Sequence, residues 1–283
     1  MTKRLSRRGF ARLGLGAVAA AFGCTPQPKT QPRPAEKPFT VRLGLQSYSL
    51  RAFGFDDAVK KAQALGLHFL EAFPAHLPQN LKPEELTARL ARLKTAGIKV
   101  NGYGVCGVGK NEAATRALFG FARKVGIEVI SAAAAPDALG MLDKLVAEYD
   151  VKIGIHNHGP GDRTWGRLQQ LLDGTKDHHP NIGVCLDTGH LVRAGDDPIE
   201  AVRRLGPRLH SFHFKDTNAQ KHDVVVGTGT LDLIAFFTAL REVDFDGPFS
   251  LEFEIDPRDP IPGITESLAA IRQAVEKIGG AVI

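Results

Sequence analysis

Side chains of the types that bind metal ions stand at or just beyond the ends of four apolar segments in the second half of the chain. The segments are VKIG, IGVCL, LHSF and PFSL. The side chains are His156 or His158 after the first, Asp187 after the second, His213 after the third and Glu252 or Glu254 after the fourth. Imidazole nitrogens and carboxylate oxygens together suit divalent ions such as Mn²⁺, Co²⁺, Zn²⁺ or Mg²⁺. Two carboxylates in a partly dry site would repel each other without a cation. We therefore favour one divalent ion over polar strand ends that merely bond to nearby backbone.

A second histidine, His158, stands two residues after His156 in IHNHG. Side chains two apart on a strand point to the same face, so both imidazoles are expected to project into the same region. The intervening Asn157 is then expected to turn into the wall, which leaves His158 free to hydrogen-bond a substrate or a metal ligand.

The elements that must carry these residues alternate regularly from residue 39 onward. Short apolar segments typical of buried strands are separated by amphipathic, helix-like stretches. The apolar segments are VRLGLQSYSL, LHFLEAF, IKVNGYGV, VISAAAA, VKIGIHNH, IGVCLDTG, LHSFHFKD and PFSLEFE. Eight strand–helix pairs without a break in composition predict an α/β fold, a single (β/α)₈ TIM barrel over residues 39–283. A doubly wound sheet would want a glycine-rich phosphate loop after its first strand, and LGLQSYSLRAFG is not one.

The carboxyl ends of the strands form the site in such a barrel, so further side chains join those named above. These are Gln46 in the first segment, Glu71 in the second, His190 after the sixth and Lys215 after the seventh, and Glu254 follows the eighth. Strand alternation turns His213 and Lys215 inward, and it turns Phe212 and Phe214 outward toward the helices.

The first 38 residues do not fit the barrel pattern. SRRGFAR places paired arginines before LGLGAVAAAFG, an apolar run too short to span a bilayer. The pattern resembles twin-arginine export signals, whose passengers cross the membrane already folded, and we assign it to residues 1–24. Cys24 follows Gly23 as in a lipoprotein cleavage box, so the chain is either lipidated there or cleaved nearby. The proline-rich residues 25–38 predict an extended linker, and the whole leader predicts a periplasmic or lipid-anchored protein.

Charge and cysteine content argue against two classes of protein. The formal net charge is +5, but residues 1–38 hold eight basic residues and one acidic residue, so the rest carries −2. A net-negative body gives no general attraction for nucleic-acid phosphates, and we expect membrane contact only through the signal or a lipid. Cys106 and Cys185 are two cysteines rather than a disulfide framework, and we expect both to be small buried residues.

At these residues the chain resembles the xylose-isomerase-like TIM barrels, which include sugar epimerases and sugar-phosphate isomerases. The resemblance covers about residues 40–280 and lies in a combination of pieces, each weak alone. They are GLQSYSLR, Glu71, HNHG, DTGH, HFKD, LEFE and GTGTLD at 227–232.

The resemblance implies a divalent-metal site in which Asp187, His213 and Glu252 are ligands and His190 contacts the substrate. The ketose 3-epimerase branch has a fifth-strand glutamate that is both a ligand and one of two bases. His156 holds that place here, so we predict His156 as the fourth ligand. The second carboxylate base is then missing, and a symmetric mechanism with one glutamate on each face of the substrate does not follow.

The chemistry implied is that of a sugar isomerase or epimerase working through an enediolate-type intermediate. A metal that binds the carbonyl and hydroxyl oxygens of a sugar acidifies the carbon-bound proton between them, and a base removes it. We predict Glu252, His190 and Lys215 as catalytic residues. We predict Gln46, Glu71, His158 and Glu254 as substrate-binding residues. Returning the proton gives an isomer or epimer, expelling a β-oxygen gives a lyase or dehydratase, and the sequence does not choose.

Two other functions stay open. A non-catalytic periplasmic sugar-binding barrel would explain the loss of the fifth-strand glutamate. An apurinic-site endonuclease would need added histidines at the second and third strands, and FLEAFP and VNGYGVCG offer none at their ends. The sugar, the metal and the oligomeric state are not specified by the sequence.

Overall fold

The computed structural model describes residues 38–283. The predicted export signal at 1–24, the cleavage box at Cys24 and all but the last residue of the predicted linker lie outside the described residues. Between residues 38 and 283, no helix combines the length and the apolar character needed to cross a membrane.

The strands of the described residues form a closed barrel. They are Thr40–Gln46 (β1), Phe69–Ala72 (β2), Lys99–Val108 (β3), Val129–Ala134 (β4), Lys152–His156 (β5), Ile182–Asp187 (β6), Leu209–Phe214 (β7), Asp216–Thr217 (β8), Asp223–Val224 (β9), Pro248–Leu251 (β10) and Ala281–Val282 (β11). Strands β1 to β7 and β10 pair in parallel in that order, and β10 pairs with β1 to close the ring. The predicted (β/α)₈ barrel is therefore confirmed.

Helices follow the strands around the ring. They are Phe55–Ala64 (α1), Pro83–Thr95 (α2), Glu112–Val125 (α3), Leu139–Tyr149 (α4), Leu168–Thr175 (α5), Thr188–Ala194 (α6), Pro198–Leu205 (α7), Leu233–Glu242 (α8) and Ile261–Lys277 (α9). Several begin at a side chain that satisfies a free backbone N–H group, as Asn111 does for α3 and Asp232 for α8. Helix α3 ends at Gly126, whose φ of +85° suits a residue without a side chain.

The core lies between the barrel and its helices. Phe212 and Phe214 of β7 point outward and pack on Phe236 and Phe237 of α8, with ring centroids 5.0 to 5.9 Å apart. All four rings are fully buried. The predicted alternation along this strand is therefore confirmed, and it leaves the neighbouring His213 on the inner face.

Two features at the carboxyl end of the barrel go beyond the predicted elements. Helix α6 starts directly after β6, where Oδ1 of Asp187 accepts a hydrogen bond from the backbone N–H of His190 at 2.7 Å. Seven residues carry too little periodicity to indicate a helix. Strands β8 and β9 form an antiparallel hairpin just beyond β7. Cys106 and Cys185 are buried and unpaired, as expected.

Candidate active site

Four buried side chains converge where the strands end. His156 ends β5, Asp187 ends β6, His213 lies in β7 and Glu252 directly follows β10. Asp187 and His213 stand opposite each other in the register of β6 and β7. One ligand-type atom from each of the four residues lies within 4.8 Å of those of the others. The structure thus brings together the four side chains predicted as metal ligands.

Two ring nitrogens in this cluster are buried without a hydrogen-bond partner: Nε2 of His156 and Nδ1 of His213. Nε2 of His156 lies 3.6 Å from Oδ2 of Asp187, and Nδ1 of His213 lies 3.4 Å from Oε2 of Glu252. Buried polar atoms without a partner are rare in folded proteins. A divalent ion between the two nitrogens and the two carboxylates would bind all four groups, so these residues fit a metal ion of the Mn²⁺, Co²⁺ or Zn²⁺ type.

Glu71 of β2 orients His213. Nε2 of His213 donates a hydrogen bond to Oε1 of Glu71 at 2.8 Å, and both side chains are fully buried. In the neutral ring the single hydrogen is on Nε2 and is used in this bond, so that the lone pair of Nδ1 is available to a metal. The hydroxyl of Ser250 lies 3.3 Å from the other carboxylate oxygen. A Cβ at Gly102 would lie 2.9 Å from Cγ of Glu71, so glycine leaves the room that this side chain needs.

Lys215 lies among the carboxylates of the cluster. Its Nζ is 2.7 Å from Oδ2 of Asp187, 2.6 Å from Oε2 of Glu252 and 2.7 Å from Oε1 of Glu254. The side chain is 2% exposed, so this lysine is part of the site rather than of the surface. The ammonium group has three hydrogens, and each has a carboxylate partner.

The charges of the cluster shift the pKa values of its members. Burial alone raises the pKa of Asp187, but Lys215 and His156 hold it well below its usual range. Burial also raises the pKa of Glu252, and His213 and Lys215 outweigh that effect and lower it. Burial lowers the pKa of His156 to about 3, which keeps the ring neutral.

Burial lowers the pKa of His213, but Cys185, Glu71 and Glu252 outweigh that effect and raise it well above its usual value. A divalent ion would take the place of the proton on this ring, because ionised carboxylates and neutral imidazole are the forms that bind metals.

Asn157 and His158 behave as the alternation predicts. Asn157 is fully buried, donates to the carbonyl oxygen of Asp187 at 3.0 Å and accepts from its N–H at 2.9 Å. These two bonds tie the ends of β5 and β6 together. His158 is exposed, and its ring centroid lies 4.4 Å from that of His156.

A cavity of about 270 Å³ opens onto the cluster. Besides His156 and Glu252, the predicted site residues on its wall are Gln46, His158, His190, Lys215 and Glu254. Sequence reasoning missed Tyr48 and Phe73, which also line the wall and whose ring centroids are 4.9 Å apart in an edge-to-face pair. The volume is slightly below the usual range for ligand pockets, about 300 to 1,000 Å³, which suits a small molecule.

The polar groups of two predicted substrate contacts, Glu71 and Gln46, bond to the protein itself. Glu71 is completely buried behind His213 and is not part of the cavity wall, because its long side chain reaches into the barrel instead of out of it. Gln46 lies in the wall, but Nε2 donates to the carbonyl oxygen of Gly104 and Oε1 accepts from the N–H of Tyr48, both at 3.0 Å. Its amide therefore holds the backbone around the cavity.

His190 lies on α6 at the side of the cavity. Nε2 of its ring is 3.9 Å from Oδ2 of Asp187, and Nδ1 accepts a hydrogen bond from Nη2 of Arg193 at 3.2 Å. Nη1 of Arg193 donates to Oδ1 of Asp223 at 2.7 Å. Burial lowers the pKa of His190. Sequence reasoning missed Arg193 and Asp223 because neither stands at the end of a barrel strand.

The histidine that follows β2 does not extend the metal site. The ring of His76 contacts Oγ of Ser47 at 2.9 Å and the carbonyl oxygen of Phe53 at 3.0 Å. In the described part of the chain, the one cluster with metal-ligand geometry is the group of four residues described above. The added histidine ligands of a multi-metal endonuclease site are therefore not found there.

Comparisons with known proteins agree with this architecture. A family model described as a xylose isomerase-like TIM barrel matches residues 59–274. An inosose dehydratase from Bacillus thuringiensis (strain Al Hakam) is 30% identical over 140 residues, which cover 43% of this chain and 46% of the relative. The chain thus spans about half the length of the curated relatives that it matches.

Solved structures share the fold over nearly their whole length. The IolI protein with a bound zinc atom has a TM-score of 0.71 and 19% identity, with coverage of 84% of this chain and 99% of that one. A D-psicose 3-epimerase solved in the presence of D-fructose has a TM-score of 0.65 and 18% identity, with coverage of 84% and 98%. At this identity the likeness concerns the fold alone.

Proposed function

The chain belongs to the xylose isomerase-like TIM barrel family, and from that premise we propose that it is a divalent-metal-dependent enzyme acting on a small sugar or related polyhydroxy ketone. It removes a proton from a carbon next to a carbonyl group and gives an isomer, an epimer or a dehydrated product. The observation that carries this proposal is the pair of buried, partnerless nitrogens of His156 and His213, which face two carboxylates beside a small cavity.

The metal ligands in this proposal are His156, Asp187, His213 and Glu252. A divalent ion bound there supplies positive charge against the negative charge that develops on the substrate oxygens. Asp187 and Glu252 carry two negative charges, which balance a divalent ion. Lys215 adds a positive charge beside Glu254, so the loaded site is close to neutral.

The proton acceptor in this proposal is a side chain on the cavity wall. We propose Glu252, whose lowered pKa keeps it ionised and whose side chain belongs to the ligand cluster and also lines the cavity. Glu254 and His158 line the same cavity and are the alternatives. The side chain of Glu254 is 34% exposed, and Lys215 holds one of its oxygens.

Dehydration is the branch that the curated relatives favour, since they are inosose dehydratases. In that reaction the carbon-bound proton passes to the base, a double bond forms, and the hydroxyl group on the next carbon leaves as water. The leaving hydroxyl group needs a proton donor. We propose His158 for this role, because it is the exposed histidine on the cavity wall.

We also propose that the protein is exported by the twin-arginine route and works in the periplasm, free or lipid-anchored through Cys24. This rests on the sequence alone, on the arginine pair in SRRGFAR and the apolar run that follows.

Elemental analysis of the purified protein, followed by a deuterium-exchange screen in heavy water, tests the enzymatic proposal. The screen uses inosose, D-fructose and D-psicose with the loaded protein. We expect one divalent ion per chain and solvent deuterium at the carbon beside the carbonyl of at least one compound, or its dehydration. The Glu254→Gln variant, which keeps all four ligands, serves as the matched control for the choice of base. Metal and tight sugar binding without exchange would identify a non-catalytic sugar-binding barrel instead.

A further inference from the structure

A bridge of three side chains runs from the β8–β9 hairpin to the cavity. Arg193 stands in its middle, with Nη1 bonded to Oδ1 of Asp223 at 2.7 Å and Nη2 bonded to Nδ1 of His190 at 3.2 Å. The side chains of Arg193 and Asp223 are 25% and 23% exposed, so the ion pair is largely shielded from water. The far end of the bridge, His190, lines the cavity.

The chemistry of the guanidinium group limits what His190 can be. A guanidinium has hydrogen-bond donors and no acceptor. The Nδ1 atom that faces Arg193 must therefore accept, so it carries no hydrogen. An imidazole with a free Nδ1 lone pair is neutral and has its single hydrogen on Nε2. That hydrogen is on the side of the ring that lies toward Asp187, with Nε2 3.9 Å from Oδ2.

We propose that Arg193 and Asp223 are positioning residues that hold His190 as a neutral ring with its N–H donor directed into the site. His190 then presents a donor to a substrate oxygen. It cannot act as a base through Nε2 while the bridge is intact. The role in turnover rests on the proposed function, whereas the hydrogen bond and the tautomer do not depend on it.

Two neighbouring features, Gly189 and the buried carboxylate of Asp216, help to hold Asp223 beside Arg193. A Cβ at Gly189 would lie 3.0 Å from Oδ1 of Asp223 and 3.1 Å from Cβ of Lys215, so glycine allows the hairpin to approach α6. Asp216, which is 1% exposed, anchors the following loop. Its carboxylate accepts hydrogen bonds from the N–H groups of Gly227, Gly229 and Leu231 at 3.0 to 3.2 Å.

Nitrogen NMR of the full chain labelled with ¹⁵N-histidine tests the proposal directly. The protein is loaded with Zn²⁺, which is diamagnetic, and the His190 signals are assigned by their loss in His190→Gln. We expect Nδ1 of His190 to be unprotonated with the shift of a hydrogen-bond acceptor, and Nε2 to carry the hydrogen. In Arg193→Met the Nδ1 shift should move toward that of a free acceptor, while in Arg193→Lys it should stay nearer the wild-type value.

The Asp223→Asn variant provides a second route that keeps the arginine. It should weaken the bridge and move the same Nδ1 shift in the same direction, by less than Arg193→Met does. Arg203→Met is the matched control, because Arg203 of α7 forms an exposed ion pair at 2.9 Å with Glu242 of α8 and does not line the cavity. This control should leave the His190 signals unchanged.

A hydrogen on Nδ1 in the wild-type protein would overturn the proposal. So would an Nδ1 shift that is the same in wild type, Arg193→Met and Asp223→Asn. Where exchange is observed with a sugar, Arg193→Met should lower the rate at saturating substrate roughly tenfold to a hundredfold with a smaller change in KM, because the donor is misplaced. Exchange that fails in every variant and in wild type would count against the proposed function, whereas the NMR result would still decide the bridge.

Discussion

The ammonium nitrogen of Lys215 lies 2.7 Å from Oδ2 of Asp187, a carboxylate oxygen beside one of the partnerless histidine nitrogens. The same nitrogen lies 2.6 Å from Oε2 of Glu252. The lysine thus contacts both anionic groups of the predicted metal site, and a divalent ion would share those groups with it.

Lys215→Met should strengthen metal binding and lower the stability of the metal-free protein. Removing a positive charge next to a cation site lowers repulsion, and we expect the affinity for Mn²⁺ to rise roughly tenfold or more. Without metal, the variant leaves Asp187 and Glu252 buried with no cation, so its melting temperature in chelator should fall. Calorimetric titration and thermal unfolding with and without Mn²⁺ measure both effects. Lys60→Met, which removes an exposed lysine beside Asp57, is the control. Weaker metal binding in Lys215→Met would show that the lysine organises the ligands instead.

Glu71→Ala should lower metal affinity although Glu71 is not a ligand. The substitution removes the acceptor that fixes the hydrogen of His213 on Nε2, and the loss of such partners typically costs about 10- to 100-fold in affinity. Competition with a fluorescent chelator measures it. Glu71→Gln keeps an acceptor oxygen and should lie between wild type and Glu71→Ala. Equal affinities in all three proteins would contradict the role given to this carboxylate.

Substitutions of the two histidines of IHNHG should differ in their effect on metal content. His156→Ala should lose stoichiometric metal, because Nε2 of His156 lies in the ligand cluster. His158→Gln should keep the metal and lower turnover, since His158 lines the cavity. His156→Glu should also keep the metal, because carboxylate oxygen suits Mn²⁺ and Mg²⁺. Elemental analysis of each variant decides, with the double variant Asp187→Ala, Glu252→Ala as the metal-free baseline. Metal loss in His158→Gln but not in His156→Ala would reverse the assignment.

Export should depend on the arginine pair. Replacing Arg7 and Arg8 with lysines should leave the protein in the cytoplasm, because the twin-arginine route reads that pair. Cell fractionation with immunoblotting measures the distribution, and Cys24→Ala should release membrane-held protein if the cysteine is lipidated. An unchanged periplasmic yield from the double lysine variant would rule out this route.

The sequence predicted which side chains lie at the strand ends, because the place where each apolar segment ends and the two-residue alternation along the strand together determine them. His156 and Asp187 are the last residues of β5 and β6, and His213 stands on the inner face of β7, where simple alternation puts it. The interactions between these residues could not be predicted in the same way. The three contacts of Lys215 depend on how the ends of three strands are staggered, and the inward turn of Glu71 depends on the space left by Gly102.

The contact between Arg193 and Asp223 was even less predictable from a sequence pattern. One stands on a helix of seven residues, and the other on a two-residue strand of a hairpin. Neither element has enough residues to show periodicity, and their contact is determined by tertiary packing. Gly189 in DTGH was the available signal, since a glycine beside polar site residues indicates a close approach of another segment.

The hydrogen bond between Glu71 and His213 joins residues 142 positions apart in the chain. Glu71 is on β2, His213 is on β7, and the ligand Glu252 follows the strand that closes the ring onto β1. A nascent chain that has emerged only as far as β6 therefore holds His156 and Asp187 without the other half of the site. Metal capture should be a late event in biogenesis, simultaneous with closure of the ring, so that uptake of the ion would report that the whole barrel has assembled.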